Sequence, residues 1–377
     1  MPSVTALDRA GLRNRASPEA RRARIWLVPL LAGLGAYAVA ISAAVNLLND
    51  GDTLSHIAIG RWIIEHRALP FHDPFSYTFH GGTWVPHEWL AEIVFAALYD
   101  WLGWGGVIAA TALATAIAFA LMTRALQSSL GARRTAIGAA LAFLLTESHL
   151  LARPHVLAFP LLVIWMSGVI RARDEGRVPS LLLLLYLALT HVRNKELLGI
   201  VAPLLIAVPL GKQLGPASPS LAGGARQGVA ALLATAGALA AVIVLGFFAT
   251  ASALDRRGIT PRGDVAPVAA VQAAREAGLA GHVFNSVRFG GYLMLVGIPT
   301  FVDGRADLFG DAFLQRYVAA SNAVGGWLPE LLDRYTVTWT LLEPLSPAAG
   351  LLDHLAGWER VYADPDVVIH RRRPPSV

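Results

Sequence analysis

Long runs of apolar residues constrain the fold of this chain more than any other feature of its sequence. The first run, residues 25–48, contains no charged residue and would be about 36 Å long as a helix, enough to cross a bilayer. Together with six further runs it predicts seven crossings, over residues 25–48, 105–126, 136–151, 156–170, 179–189, 197–210 and 229–250. A shorter run at 90–102, about 20 Å as a helix, is expected at the membrane interface.

Composition supports a polytopic membrane protein. A hydrophobic content of 55% and a mean hydropathy of +0.52 are too apolar for an ordinary soluble chain of 377 residues. The net charge of +5 does not indicate a nucleic-acid partner, because basic loops set the orientation of membrane proteins. The sequence contains no cysteine, which excludes disulfides, thiolate metal sites and thiol nucleophiles.

The basic residues predict an orientation and three regions. Residues 1–24 form an arginine-rich tail that we expect in the cytoplasm, and the basic loops near Arg133 and at 171–177 fall on the same side. Residues 25–250 form the transmembrane domain, and its polar first loop, 49–89, is expected on the outer face. The mixed pattern of residues 251–377 predicts a small soluble α/β domain outside the cytoplasm.

The outer loop carries the first candidate site. Asp50 and Asp52 directly follow the first span, and residues 53–67 are typical of a helix on which Asp52 and His56 share one stripe. This helix has two apolar sides, so we expect it to be wedged between other elements. An acid here is a candidate general base or cation ligand, and Asp52 with His56 is a candidate pair for a divalent metal ion. The alternative for both acids is a polar cap where a span meets water.

The same loop continues with a change of period. Phe75, Tyr77 and Phe79 alternate with polar residues and predict a small β-hairpin that returns through residues 83–85. These aromatic rings are candidates for stacking on a sugar, although packing within the hairpin is the favoured interpretation. Glu88 follows in the first turn of another helix, where it supplies a second carboxylate or only stabilises the helix start.

Two further groups follow later in the chain. Arg153 and His155 are expected on the outer face, where a guanidinium suits a phosphate of a lipid donor. Charge snorkelling at a helix end is the alternative. A similar outer cluster is predicted at His191, Arg193 and Lys195.

The tail alternates between helix and strand patterns. Helices are predicted at 265–277, 311–321 and 347–355, and strands at 282–285, 301–303, 336–342, 361–362 and 367–370. Asp303, Arg305 and Asp307 follow one predicted strand, where α/β folds place binding loops. An internal ion pair that shapes this loop is the alternative. The segment 289–292, Phe-Gly-Gly-Tyr, is expected to let a helix pack closely.

Six motifs carry a resemblance to a known superfamily. They are D-x3-H-x3-G-x-W-I at 52–63, DPFSYT at 73–78, HEWL at 87–90, ARPH at 152–155, VFN-x3-FGGY at 283–292 and DGRADLFGD at 303–311. With these motifs the chain resembles an uncharacterised bacterial branch of the GT-C superfamily of membrane glycosyltransferases, which includes the protein mannosyltransferases. The resemblance covers most of residues 25–371. It differs at residues 185–186, where relatives have further helices, so this chain resembles a shortened form.

The resemblance implies a function and a location. It implies transfer of a sugar from a polyprenyl-phosphate donor to an extracytoplasmic acceptor, with Asp50 or Asp52 as base, at the bacterial inner membrane. We therefore expect Glu88 and His56 to support the base, and Arg153 and His155 to hold the donor phosphate. A non-catalytic membrane scaffold, including an inactive shortened homologue whose outer domain binds a partner or polysaccharide, is the alternative. A transporter comes third, because the spans contain almost no charges.

Overall fold

The computed structural model describes residues 18–174, 203–204, 207 and 229–373. Contacts divide the chain into two compact units. One unit comprises Met1–Ser42, Ala110–Leu150 and His155–Ala249, and the other comprises Ala43–Ala109, Leu151–Pro154 and Thr250–Val377. The outer loop therefore belongs with the tail, whereas the sequence-based division grouped it with the spans.

Helices dominate the described residues as far as Arg256. They are α1 (Pro18–Ser42), α2 (Ala44–Leu47), α3 (Gly51–His66), α4 (Trp89–Leu130), α5 (Ala132–Thr146), α6 (Pro154–Asp174) and α7 (Val229–Arg256). In the first unit, Gly33 lets α1 approach α4 closely, because a Cβ there would lie 2.9 Å from the Ala116 carbonyl oxygen. The Arg124 guanidinium lies 5.5 Å from the centre of the Trp26 ring in the same unit.

Three of these helices are long and apolar enough to cross a membrane. They are Trp89–Leu130, Pro154–Arg171 and Gly237–Arg256. Among the described residues the seven predicted crossings are thus shown only in part. The crossing predicted at 179–189 and nearly all of that at 197–210 lie outside the described residues, as do residues 1–17 and the cluster around Arg193.

Two predicted crossings differ from the observed helices. The run at 25–48 is not one helix, because α1 ends at Ser42, whose hydroxyl donates to the Val39 carbonyl and offers the backbone a local alternative. The crossing expected at 136–151 corresponds to α5, whose 15 residues give about 22 Å. Gly103, with φ 59°, breaks α4 between the predicted interfacial segment at 90–102 and the predicted span at 105–126.

The second unit contains a four-stranded sheet. Its elements in the tail are α8 (Val268–Glu276), β1 (His282–Asn285), α9 (Val287–Leu295), α10 (Ala306–Ser321), α11 (Trp327–Arg334), β2 (Val337–Leu341), α12 (Pro347–Leu352), β3 (Trp358–Ala363) and β4 (Val368–Arg372). The strand order is β1-β2-β4-β3, with β1 and β2 parallel and the other pairs antiparallel. The predicted mixture of helices and strands in the tail is confirmed.

The strand predicted at 301–303 is wrong. This stretch contains one bend, at Phe301, and no strand, although the neighbouring Thr300 makes one isolated bridge to Ser76 of the outer loop. Its apolar residues are buried because Phe301 and Val302 belong to the core beneath the sheet, not because they pair in it. Burial alone therefore produced the apolar pattern that predicted a strand.

The outer loop pairs with the tail. At the base of the loop, Asp73 N–H donates to the Gly82 carbonyl at 2.8 Å, as expected for a hairpin. The alternating segment does not pair with 83–85, however, because the amide of Tyr77 donates to the Thr300 carbonyl at 3.1 Å. The predicted hairpin is therefore correct near Asp73 and Gly82. It is wrong for the aromatic segment, which pairs with the tail and not with residues 83–85.

Candidate functional site

Helix α3 positions the acids of the outer loop. Asp50 is its N-cap residue, in extended backbone conformation, and its Oδ1 accepts from the Asp52 amide at 3.1 Å. The polar cap, the alternative interpretation for both acids, is therefore present at Asp50. Asp52 lies in the first helical turn, where its side chain is free of that capping task.

The helix is wedged between two others, as its two apolar sides predict. A Cβ on Gly51 would lie 2.6 Å from the Arg288 carbonyl oxygen of α9, and one on Gly60 would lie 2.8 Å from the Ala96 Cβ of α4. On α9, Gly291 meets the Gly51 carbonyl, so the close packing predicted for 289–292 is confirmed. Glycines on both contact faces let the three backbones approach and fix α3 in place.

Arg153 joins the two acids of the loop. Its segment is pinned to α3 by Thr53, whose hydroxyl donates to the Ala152 carbonyl at 3.0 Å. Its Nε then pairs with Asp50 Oδ2, and its Nη2 lies 2.9 Å from Asp52 Oδ2. The structure thus brings Arg153 together with two predicted site residues that precede it by about 100 positions in sequence.

Asp52 lies in a mixed electrostatic environment. Burial raises the pKa of its carboxyl, and the nearby carboxylates of Asp50 and Asp303 raise it further, whereas Arg153 and His56 lower it, so that the pKa lies above its ordinary value. The side chain still keeps 34% of its surface exposed. Gly304 lies against it, because a Cβ at that position would collide with Asp52 Oδ1. Asp52 is therefore both accessible and a stronger base than an ordinary aspartate.

One turn further along α3, His56 lies between two glutamates. Its Nδ1 is 3.0 Å from Glu92 Oε1, and its Nε2 is 3.6 Å from Glu88 Oε2. One ligand atom from each of the three residues can be chosen so that all lie within 4.8 Å of one another. Among the described residues, these three side chains are the ones grouped closely enough to hold a metal ion. Of the pair predicted from the sequence, His56 belongs to this group and Asp52 does not.

The tail loop contains a buried ion-pair network. Arg305 donates from Nε and Nη2 to the two oxygens of Asp303, each at 2.7 Å, and from Nη1 to Asp73 Oδ1 at 2.6 Å. The guanidinium also lies over Trp84, 4.7 Å from its centre. The internal ion pair that the sequence left as an alternative is therefore present, and it ties the outer loop to the tail.

Asp307 lies at the edge of this network. Its Oδ2 accepts from Trp84 Nε1 at 3.1 Å and lies 3.9 Å from His87 Nε2. Its side chain is 55% exposed, unlike those of Asp303 and Arg305. Of the three predicted tail residues, Asp307 is thus the one open to solvent.

The remaining predicted groups are placed by packing. His155 belongs to the other compact unit, where its ring lies 5.6 Å from that of Phe159. Tyr77 stacks on His282 at 4.1 Å, and Phe79 contacts Phe309 edge-on at 5.3 Å. These rings therefore pack, as the favoured interpretation predicts, but against the tail and not within the hairpin.

Two residues of the site are not among those predicted from the sequence. Glu92 lies inside the apolar run at 90–102, which predicts an interfacial segment, although its spacing of four from Glu88 is that of neighbours on one helix face. Asp73 pairs with a residue 232 positions away, a separation that no local pattern reports. The first had a usable signal in sequence and the second had none.

Comparisons of the chain with protein-family models, with curated proteins and with solved structures found no match. The resemblance to the GT-C superfamily therefore stays a prediction that rests on the motifs. The geometry around Asp52 and His56 has to carry the functional argument by itself.

Proposed function

We propose that this protein is a membrane glycosyltransferase that moves a sugar from a polyprenyl-phosphate donor to an extracytoplasmic acceptor. The observation that carries the proposal is Asp52: a partly exposed carboxylate with a raised pKa, fixed at the start of α3 and contacted by Arg153 and by Gly304 of a distant motif. Acids with raised pKa values in accessible positions are characteristic of general bases.

In this proposal Asp52 accepts the proton of an acceptor hydroxyl. The acceptor oxygen forms a bond to the anomeric carbon of the sugar, and the bond from that carbon to the phosphate oxygen breaks. Polyprenyl phosphate leaves with the electron pair, and the sugar stays on the acceptor. The raised pKa of Asp52 matters here because a base is more effective when its pKa is nearer the working pH.

Arg153 is the proposed donor-phosphate group. A guanidinium binds carboxylate and phosphate oxygens with the same geometry, and here it is held by Asp50 and Asp52. A donor phosphate would compete with Asp52 for Nη2, while Asp50 keeps the guanidinium in position. His56 supports the base from the next turn of α3, and Glu88 acts through His56, whose Nε2 lies 3.6 Å from Glu88 Oε2. His155, in the other unit, is not included in this step.

The proposal includes the membrane arrangement. Seven crossings of GT-C type, a cytoplasmic amino terminus and an extracytoplasmic tail at a bacterial inner membrane are parts of it. Three helices of membrane-crossing length support the membrane location, and the placement of basic residues in alternate loops supports the orientation.

The test is Asp52→Asn in the full-length protein, purified with native lipids. We expect mass spectrometry to detect a bound polyprenyl-phosphate sugar in the wild type, and transfer by the variant to fall by about 100-fold or more. Asp100→Asn is the matched control, because Asp100 pairs with Arg61 at the surface and lies outside the site. Full transfer by Asp52→Asn would contradict the proposal.

The variant should also keep its fold. Because the folded state raises the pKa of Asp52, it disfavours the ionised form, and this cost exists only at pH values above the ordinary aspartate pKa. Asparagine removes that charge, so the melting temperature at pH 7 should be no lower than that of the wild type. A loss of transfer then reports chemistry and not unfolding.

A second candidate function is a non-catalytic membrane scaffold. The observation that favours it is that Asp50, Arg153 and Asp52 already satisfy one another, as a purely structural cluster would. A scaffold of this kind would bind no polyprenyl-phosphate sugar, and it would tolerate Asp52→Asn without change in the binding of its partner or polysaccharide.

A further inference from the structure

Glu92 is a buried acid with one unsatisfied oxygen. Its side chain is only 3% exposed, and Oε1 pairs with His56 Nδ1. Its Oε2 is buried and has no hydrogen-bond partner among the described residues. An ionised carboxylate in such surroundings is costly unless a cation or donors compensate it. The position therefore indicates a missing positive partner.

Protein cations do not supply that partner. Among the described residues, no arginine or lysine lies within ion-pair distance of Glu88 or Glu92, and only His56 approaches them. A protonated His56 would offset one of the two negative charges and would still leave Glu92 Oε2 without a donor. A divalent cation offsets both charges and contacts the free oxygen.

The ligand atoms are close enough for one ion. His56 lies on α3, Glu88 immediately before α4 and Glu92 in the first turn of α4, and the ligand atoms lie within 4.8 Å of one another. Ligand atoms around a tetrahedral zinc ion are about 3.3 Å apart, given metal–ligand bonds of about 2.0–2.2 Å. Small rotations of the two glutamate side chains close this difference, and Glu88, whose side chain is 49% exposed, leaves a path for entry.

From these contacts we infer that His56, Glu88 and Glu92 form a binding site for one divalent transition-metal ion, with Zn²⁺ as the best match. One imidazole nitrogen with two carboxylate oxygens suits zinc, whereas magnesium and calcium prefer oxygen ligands alone. Three protein ligands also leave a fourth coordination position for water or an oxygen atom of a ligand. This site goes beyond the proposed transfer reaction and does not require it.

The experiment measures zinc uptake by the full-length protein, purified in detergent without a polyhistidine tag and stripped with a chelator. We expect the wild type to bind about one equivalent of Zn²⁺ and to bind Mg²⁺ at least about tenfold more weakly. Glu92→Gln and Glu88→Gln should each weaken zinc binding by about 10–100-fold. Glu65→Gln, an exposed acid on the same helix, is the matched control and should bind zinc as the wild type does.

Two readouts keep the result decisive. At the same zinc concentration, the melting temperature should rise more for the wild type than for Glu88→Gln, which changes a half-exposed side chain. The inference is overturned if the stripped wild type takes up no zinc, or if both site variants bind it as tightly as Glu65→Gln. Uptake is measured without substrate, so a protein that binds zinc but transfers no sugar would refute only the proposed function.

Discussion

Asp52 experiences opposing effects whose balance depends on Arg153. Burial and two neighbouring carboxylates, Asp50 and Asp303, raise its pKa, while the Arg153 guanidinium and His56 lower it. Any anion that draws Arg153 away removes one of the two lowering effects. Under the proposed function, arrival of the donor phosphate would thus strengthen the base at the moment when the acceptor hydroxyl must lose its proton.

Arg305 has a different electrostatic role. Burial alone would lower the pKa of its guanidinium, but ion pairs and hydrogen bonds with Asp303 and Asp73 outweigh this effect and keep the pKa above its ordinary value. The guanidinium therefore stays charged with both carboxylates attached. Because Asp73 comes from the outer loop and Asp303 from the tail, one side chain connects two distant parts of the second unit.

The first prediction concerns this connection. Arg305→Ala should destabilise the protein by about 3–5 kcal/mol, because it leaves two buried carboxylates without their cation. Chemical unfolding monitored by tryptophan fluorescence measures the loss, since Trp84 packs against the guanidinium. Arg371→Ala removes a solvent-exposed pair with Glu359 and should reduce stability far less. Equal stability losses in the two variants would contradict a buried network.

At the scale of elements, the site depends on how tightly α3 is held. Glycines at both of its contact faces let α9 and the start of α4 approach its backbone. This packing leaves no space for α3 to rotate, and rotation is what would separate Asp52 from Arg153 or His56 from Glu92. The helix contacts therefore set the distances at both candidate sites.

The second prediction tests the contact between α3 and α9. Gly291→Ala places a Cβ against the Gly51 carbonyl, so it should destabilise the protein by about 1–3 kcal/mol through overpacking. It should also reduce the proposed transfer activity, because α3 carries Asp52. Thermal unfolding and the transfer assay measure the two effects.

The control for this substitution is Gly350→Ala in α12. No atom lies within 4 Å of a Cβ at that position, so alanine should leave stability unchanged or raise it by about 0.5–1 kcal/mol through its better helix propensity. If Gly291→Ala were as stable as Gly350→Ala, the close approach of the two helices would not exist in solution.

At the scale of the whole molecule, local sequence patterns predict where helices and strands form but not which segments contact one another. The strand at 282–285 and the stripe shared by Asp52 and His56 can be predicted because their signals, a short apolar run and a spacing of four residues, lie within a few neighbouring residues. The strand at 301–303 was wrong because buried apolar residues give a similar pattern whether or not they pair in a sheet. Pairing of Tyr77 with Thr300 depends on long-range packing, which no short window contains.

In the candidate site, too, the residues could be predicted from the sequence but their contacts could not. The predicted orientation placed Asp50, Asp52, Glu88 and Arg153 on one face, and all four belong to the second unit of the structure. Their pairing could not be predicted, because whether a guanidinium meets a carboxylate or a ligand depends on distances of a few ångströms. Glu92 is missed for a simpler reason: the apolar run around it predicts a segment at the membrane interface and not a binding site.

The final prediction concerns the side of the membrane on which the second unit lies. The chain has no cysteine, so single cysteines report accessibility without background. His80→Cys in the outer loop and Leu345→Cys in the tail both replace exposed side chains of this unit. Under the proposed orientation, a membrane-impermeant maleimide should label both in intact cells. Arg133→Cys, in a basic loop predicted to be cytoplasmic, should react only after permeabilisation.

Because His80 and Leu345 belong to one compact unit, both positions must give the same answer. Labelling of Arg133→Cys but not of Leu345→Cys in intact cells would place Asp52 and its unit in the cytoplasm, where the proposed transfer cannot occur.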